Sequence, residues 1–161
     1  MKVRLAPFAP EHIDAVMAIE RLSNPSPWSV ESFRSELANP QSVFLVALSG
    51  SEAVGFGGIW LVVDEAHVTT LAVHPDYRRS GVGRLLMNEL LSRAKQAGMT
   101  CSTLEVRSQN EPAIELYESL GYRRTATRKR YYPNNDDATV MWLEDLDIPQ
   151  VEPTSGKRKR A

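Results

Sequence analysis

The sequence predicts an α+β domain: one sheet, antiparallel towards both ends, with helices packed against it. Two observations carry this. β-prone runs joined by short turns stand early (43–48 with 54–63) and late (122–132 with 138–143), the pattern of two antiparallel pairs. Between them, residues 71–94 (LAVHPDYRRSGVGRLLMNELLSRA) read as the end of a strand, a basic glycine loop and a long helix.

In chain order, residues 2–8 form a first strand. Pro10 and Glu11 open a helix with apolar positions Ile13, Val16, Met17 and Ile19 or Leu22. Ser23-Asn24-Pro25-Ser26-Pro27-Trp28-Ser29 is a loop, because two prolines and several capping residues interrupt any ladder. Ser29, with Glu31 in the first turn, starts a second helix over 30–37, and Asn39-Pro40 ends it. Strand 43–48 turns at Ser49-Gly50-Ser51 into strand 54–63, where Gly55, Gly57 and Gly58 mark bulges or close contacts. The next strand alternates Val68, Thr70 and Ala72 with Thr69, Leu71 and Val73, and His74-Pro75 stops it because Pro75 has no N–H for a ladder.

After the glycine loop, Val82, Leu86, Leu90, Ala94 and Ala97 make a helical stripe, widened by Leu85, Met87 and Leu91 and closed by Gly98. Residues 101–107 (CSTLEVR) form a strand with Leu104 and Val106 on one face and Thr103, Glu105 and Arg107 on the other. A helix over 110–120, apolar at Ala113, Ile114, Leu116, Tyr117 and Leu120, ends at Gly121. Strands 122–132 and 138–143 then form a hairpin around Pro133-Asn134-Asn135-Asp136. Residues 147–161 have almost no apolar content and read as a disordered basic tail, leaving 1–146 as the folded domain. The tail's Lys157-Arg158-Lys159-Arg160 cluster is either a solvated end or a contact for nucleic acid or ribosome.

A chain of 161 residues, 42% hydrophobic, suits one domain with a real core. A net charge of −1 gives no global field towards nucleic acid or membrane. The single cysteine, Cys101, excludes an internal disulfide framework and fits a reducing compartment. The start, MKVRLAPFAPEH, has no apolar signal core, and no run nears the roughly 18 residues that span a bilayer. A soluble cytoplasmic protein without a membrane partner is expected. His12, His67 and His74 lack metal-ligand spacing, so no metal is expected. No GxSxG elbow supports serine hydrolysis.

Gly81 and Gly83 sit where a helix begins. A helix start offers unpaired N–H groups and the positive end of the dipole, and absent side chains let an anion approach. Arg78, Arg79 and Arg84 add charge. The loop is thus a pyrophosphate cradle or a plain turn into a helix; it is neither a Walker loop nor a complete GxGxxG. Glu105 is a partly desolvated base, or a surface glutamate paired with Arg107. Tyr117 is a functional phenol or an ordinary core aromatic. Tyr131 and Tyr132 line a peptide groove or pack in a hairpin. Trp28 is a substrate wall or a staple closing the core.

Taken together, these residues resemble the GCN5-related N-acetyltransferase (GNAT) family over about residues 1–146. The anchors are Leu71-Ala72-Val73-His74-Pro75 and Arg78-Arg79-Ser80-Gly81-Val82-Gly83, the latter matching the family's Arg/Gln-x-x-Gly-x-Gly/Ala loop. Leu104-Glu105-Val106-Arg107 follows, with Asn110, Ala113, Leu116-Tyr117, Leu120-Gly121-Tyr122 and Arg130-Tyr131-Tyr132-Pro133. This later block is particular to the branch that acetylates protein N-termini, and Pro27-Trp28-Ser29 resembles that branch's substrate-side loop.

The resemblance implies a mixed, mostly antiparallel, splayed central sheet of about seven strands flanked by about four helices. It implies acetyl-CoA as cosubstrate, with Leu71, Ala72 and Val73 holding the pantetheine and acetyl carbonyl. Arg78, Arg79, Ser80, Gly81, Val82, Gly83 and Arg84 would take the pyrophosphate, and Asn110 and Tyr117 would complete the cofactor site. Glu105 becomes the general base, Tyr117 the acid for the leaving thiolate, and Trp28 and Tyr131 the substrate-shaping residues. The implied acceptor is the N-terminal alanine of a small-subunit ribosomal protein, with no direct nucleic-acid binding by the core domain. An α-amine has an ordinary pKa of about 7.7–8.0 against about 10.4 for lysine, so a modest base suffices. Other N-termini, lysine side chains or a small amine are alternative acceptors. A non-catalytic, ribosome-associated CoA-binding module is the alternative of another class, and it would need neither Glu105 nor Tyr117. The basic tail departs from the family pattern.

Overall fold

The computed structural model describes residues 2–146, and the tail expected over 147–161 lies outside the described residues. The strands are β1 (Arg4–Pro7), β2 (Ser42–Ser49), β3 (Glu52–Val62), β4 (Glu65–Val73), β5 (Cys101–Arg107), β6 (Arg123–Arg128) and β7 (Ala138–Leu143). The helices are α1 (Ile13–Ser23), α2 (Val30–Ala38), α3 (Val82–Gln96) and α4 (Glu111–Ser119). All seven strands form one sheet of order β1-β2-β3-β4-β5-β7-β6. Every neighbouring pair is antiparallel except β4–β5, which is parallel. The expected α+β architecture, a mixed sheet with four helices, is what the chain adopts.

β2 explains how the sheet is covered. Its run of apolar residues is buried on both faces, as a strand must be when helices lie on each side. Phe44, Val46 and Leu48 face one core with Val16, Met17 and Ile19 of α1 and Phe33 of α2. Leu45 and Ala47, one residue out of phase, face the other core with Leu86, Met87 and Leu90 of α3 and Ile114 of α4. Ser29 caps α2 as its sequence position suggested, its Oγ accepting from the N–H of Ser32 at 3.1 Å.

The feature that positions the site is a break in the sheet. β4 and β5 pair only from Glu65↔Cys101 to Val68↔Leu104. Above that level β4 stays on β3 and β5 stays on β7, and the two diverge. The break has a local cause. The β3–β4 register slips between Gly58↔Thr70 and Ile59↔Val68, so Thr69 is an extra residue bulged out where the β4–β5 ladder stops. The Thr69 hydroxyl donates back to the carbonyl of Gly58. Gly58 is required at that level: a Cβ there would lie 2.7 Å from the ring of Phe44.

Two elements differ from the sequence reading. The first helix begins at Ile13, and Pro10–His12 is a single 3₁₀ turn. The strand expected over 122–132 ends at Arg128. Arg130 and Asn135 take left-handed backbone angles, φ 51° and 70°. The N–H groups of Tyr131 and Tyr132 both donate to the carbonyl of Asp136, closing a tight local loop in place of a ladder.

Candidate active site

The glycine loop forms the rim of a cleft of about 750 Å³ at the splay. Leu71, Ala72 and Val73 line it from β4, and Arg107, Asn110, Ala113 and Leu116 line it from the opposite side. Gly81 is the N-cap of α3 with φ 90° and ψ 3°, a left-handed conformation in which a side chain is strained. A Cβ on Gly81 would meet nothing within 4 Å, so it is conformation and not crowding that calls for glycine there. No side chain caps α3 at this position. The first-turn amides of a helix have no partner within the helix, and these belong to Val82, Gly83 and Arg84, all on the cleft wall. This is a fit to a diphosphate by backbone and dipole.

The loop arginines divide their work. Arg78 donates from Nε to the carbonyl of Val73 at 3.0 Å and from Nη2 to Ser23 Oγ at 3.3 Å, joining the loop to β4 and α1. Arg84 donates from Nη2 to Ser119 Oγ at 2.6 Å, joining α3 to α4. Arg79 lines the cleft with φ 61°. Ser80 does not line it; its hydroxyl donates to the carbonyl of Tyr77. Asn110 is the N-cap of α4, accepting from the N–H of Ala113 at 3.3 Å, and lines the cleft from there.

A second cavity, about 190 Å³, opens from the first and shares Leu71, Ala72, Arg107, Asn110 and Ala113 with it. It runs through the gap in the sheet, so groups from both faces meet in it. Glu105 and Trp28 line it from the side of α1 and α2; Tyr117, on α4, lines it from the other. Tyr117 is on this pocket and not on the cleft wall. Trp28 lines the pocket, and its ring centroid lies 5.0 Å from that of buried Phe33. Tyr131 is 47% exposed and off the pocket, whereas Tyr132 lines it. Arg128 shares a face with Arg107 through their common partner Ala138, so strand alternation also sets Tyr132, and not Tyr131, on the pocket side.

Glu105 accepts a hydrogen bond from His67 Nε2 at 2.9 Å across the β4–β5 seam. That bond holds the carboxyl below the ordinary carboxylate range, Arg128 helps, and partial burial opposes. Glu105 is therefore ionised at neutral pH. Arg107 does not pair with Glu105. Its Nη2 donates to Asn24 Oδ1 at 3.2 Å, its Nε lies 3.7 Å from Asp136 Oδ2, and its guanidinium sits 4.0 Å above the Tyr132 ring centre. Its Nη1 is buried without a hydrogen-bond partner. Asn24 in turn donates to Glu20, a helix carboxylate only 1% exposed that also accepts from the N–H of Trp28 at 2.9 Å. One network thus joins the α1–α2 loop, β5 and the β6–β7 loop around the pocket.

Burial pushes the phenols of Tyr117 and Tyr132 up, that of Tyr132 to about 12. Sequence reasoning named Tyr132 only as one of a groove-or-hairpin pair, and missed Glu20 on the pocket wall and His67 as the partner of Glu105. The Thr69 bulge breaks simple alternation along β4, so His67 faces Glu105 while Leu71 packs towards α3, and only the strand pairing shows it. Among the described residues no group of three His, Cys, Asp or Glu could hold a metal ion, and no helix is long and apolar enough to cross a membrane.

Residues 13–122 match the family model described as "Acetyltransferase (GNAT) family". The chain is 37% identical over 134 residues to the [ribosomal protein bS18]-alanine N-acetyltransferase of Escherichia coli strain K12, covering 81% of this chain and 90% of that protein. A crystal structure of the ribosomal-protein-S18-alanine N-acetyltransferase from Escherichia coli matches with a TM-score of 0.81 at 32% identity, over 88% of this chain and 93% of that one. The N-alpha-acetyltransferase RimI of Mycobacterium tuberculosis is 40% identical over 126 residues, covering 75% of this chain and 78% of that protein. Arabidopsis thaliana NAA60 in complex with acetyl-CoA shares the fold at 20% identity, with a TM-score of 0.81 over 88% of this chain and 97% of that one.

Proposed function

The chain belongs to the GNAT acetyltransferase family, and from that premise we propose that it transfers acetyl from acetyl-CoA to the α-amine of an N-terminal alanine on a small-subunit ribosomal protein. It is an N-acetyltransferase of the RimI type. The observation that carries the acceptor reading is the junction of the two cavities. A cleft sized for an extended cofactor opens into a small pocket with an ionised carboxylate, and the two share a wall at Leu71 and Ala72.

In this reading the acetyl thioester lies at the shared wall and the amine enters beside Glu105. The amine nitrogen attacks the thioester carbonyl, the C–N bond forms, and the C–S bond breaks. Glu105 takes the proton of the incoming ammonium, directly or through a water. Tyr117 faces the departing sulfur. Its phenol, pushed well above 10 by burial, is too weak an acid to surrender its proton outright to a thiolate of ordinary pKa about 8.5. Its part is to donate a hydrogen bond to the sulfur as charge develops, while the proton released by the amine balances the thiol formed. Val82, Gly83 and Arg84 hold the diphosphate by their amides, with Arg79 beside them. The network through Arg107, Asn24 and Glu20 holds Trp28 and Tyr132 as the pocket's side walls.

The pocket, about 190 Å³, is below the ~300–1,000 Å³ usual for drug-sized ligands and suits a small first residue. A ribosomal-protein acceptor supports a cytoplasmic setting for the enzyme. The test is a competition: equal concentrations of an alanine-initiated peptide, the same peptide with a blocked terminus and a free lysine, and a polyamine, with acetylated products counted by mass spectrometry. The alanine terminus should dominate. Preference for the lysine peptide or the polyamine overturns the acceptor and leaves the acetyl-CoA chemistry standing.

A further inference from the structure

A line of contacts crosses the sheet surface and ends at Glu105. It begins at Glu36 near the end of α2, a buried carboxylate whose two oxygens each lie 3.0 Å from Trp60 Nε1. Ser42 Oγ donates to the same carboxylate at 2.7 Å. The Trp60 indole is therefore fixed on β3 by its nitrogen. Trp60 and His67 are direct cross-strand partners, and their rings meet edge to face, centroids 6.3 Å apart and 84° between planes. His67 Nε2 then meets Glu105 Oε1 at 2.9 Å. An ionised carboxylate can only accept, so Nε2 carries the hydrogen.

The geometry has a chemical meaning for a base. A glutamate side chain has three rotatable bonds, and a general base is useful only within hydrogen-bond reach of its proton. Glu105 stands where β4 and β5 part, with no ladder partner on the β4 side to restrict it. The bond to His67 is the only side-chain hydrogen bond to Glu105 found among the described residues. We propose that His67 is a positioning residue for the reaction: clamped by Trp60, its Nε2–H fixes Glu105 Oε1 and leaves Oε2 for the incoming amine. The inference rests on Glu105 being the base. It concerns an indirect role, since His67 acts on substrate only through Glu105.

The experiment compares wild-type enzyme with Glu105→Gln, His67→Ala, His67→Asn and His67→Gln. Steady-state kinetics use the alanine-initiated peptide, and acetyl-CoA binding by calorimetry shows that each variant keeps its cleft. His67→Ala should lose about tenfold in kcat, a fraction of the 10²–10⁴-fold that a positioned base supplies. The KM for acetyl-CoA should not move. His67→Gln, whose amide nitrogen reaches about as far as Nε2, should return kcat to within about threefold of wild type. His67→Asn, whose amide stops short of Glu105, should fall with His67→Ala. A merely structural histidine would not separate Gln from Asn. If Glu105→Gln is crippled while His67→Ala runs within twofold of wild type, the positioning role is wrong and the base survives. If all three His67 variants are equally slow, the ring and not the hydrogen bond is what matters, and the inference also fails. Wild-type rates in Glu105→Gln remove the base and, with it, any role for His67.

Discussion

Replacing Glu105 with Gln keeps the shape and the contact to His67 but removes the proton acceptor. Because the His67 hydrogen bond holds this carboxyl below the ordinary range, Glu105 stays ionised from pH 6 upward and contributes no acid limb there. The limb belongs to the substrate amine. With an ordinary α-amine pKa near ~7.8, about 5% of the peptide is unprotonated at pH 6.5 and over ~90% at pH 9. A mutant without a base depends on that fraction, whereas the wild type makes its own free amine. The ratio of wild-type to Glu105→Gln turnover should therefore start within the ~10²–10⁴ range at pH 6.5 and shrink by about twentyfold by pH 9. The assay is thiol release from acetyl-CoA with a saturating alanine-initiated peptide at fixed ionic strength. A Glu105→Gln enzyme as fast as wild type at pH 6.5 refutes the role of Glu105. A large ratio that does not change with pH refutes the narrower claim that deprotonation precedes attack.

Tyr117→Phe should lower kcat with little change in acetyl-CoA affinity, and the wild type should show no alkaline limb from this phenol below pH 10, since burial pushes it up; turnover equal to wild type would return Tyr117 to the core alone. Gly83→Asp should weaken acetyl-CoA binding at least tenfold, about 1.4 kcal/mol, in calorimetry. A Cβ at that position lies 3.3 Å from Leu116 Cδ2, so Gly83→Ala separates crowding from charge and should bind far better than the aspartate. Gly58→Ala should cost about 1–3 kcal/mol by driving a methyl into Phe44, read as a thermal midpoint lowered by roughly 2–4 °C per kcal/mol; an unchanged midpoint would show that the bulge absorbs the methyl freely.

How far the sequence could be read depended on whether a property was local. Helix α3, its cap and its apolar stripe follow from residues within a few turns of each other, and they appear where expected. So does β5, with Leu104 in the core beneath α3 and Glu105 on the opposite face. The end of β6 was not legible, because Lys129 to Tyr132 have strand-like residues. What turns the chain is the acceptance by Asp136 of two amide bonds from across the loop. Arg107 illustrates the same limit. Its neighbour two residues away was the obvious partner, but its actual partners come from residues 24, 132 and 136. Buried Glu20 and Glu36 look like surface positions on amphipathic helices until the loop and strand groups they hold are known.

The four-residue seam between β4 and β5 also bears on how the chain is assembled. Strands β1 to β4 lie side by side in the order of synthesis, so the first 73 residues can zip together before β5 leaves the ribosome. Until then β4 is a raw edge along its whole length. When β5 arrives it covers only the lower part of that edge, from Glu65 to Val68. The late-made half of the molecule is thus fastened to the early half by a short zip and by the packing of α3 and α4 beneath it. Amide hydrogens along this join should exchange with solvent sooner than those of the β2–β3 ladder, with its eight paired positions.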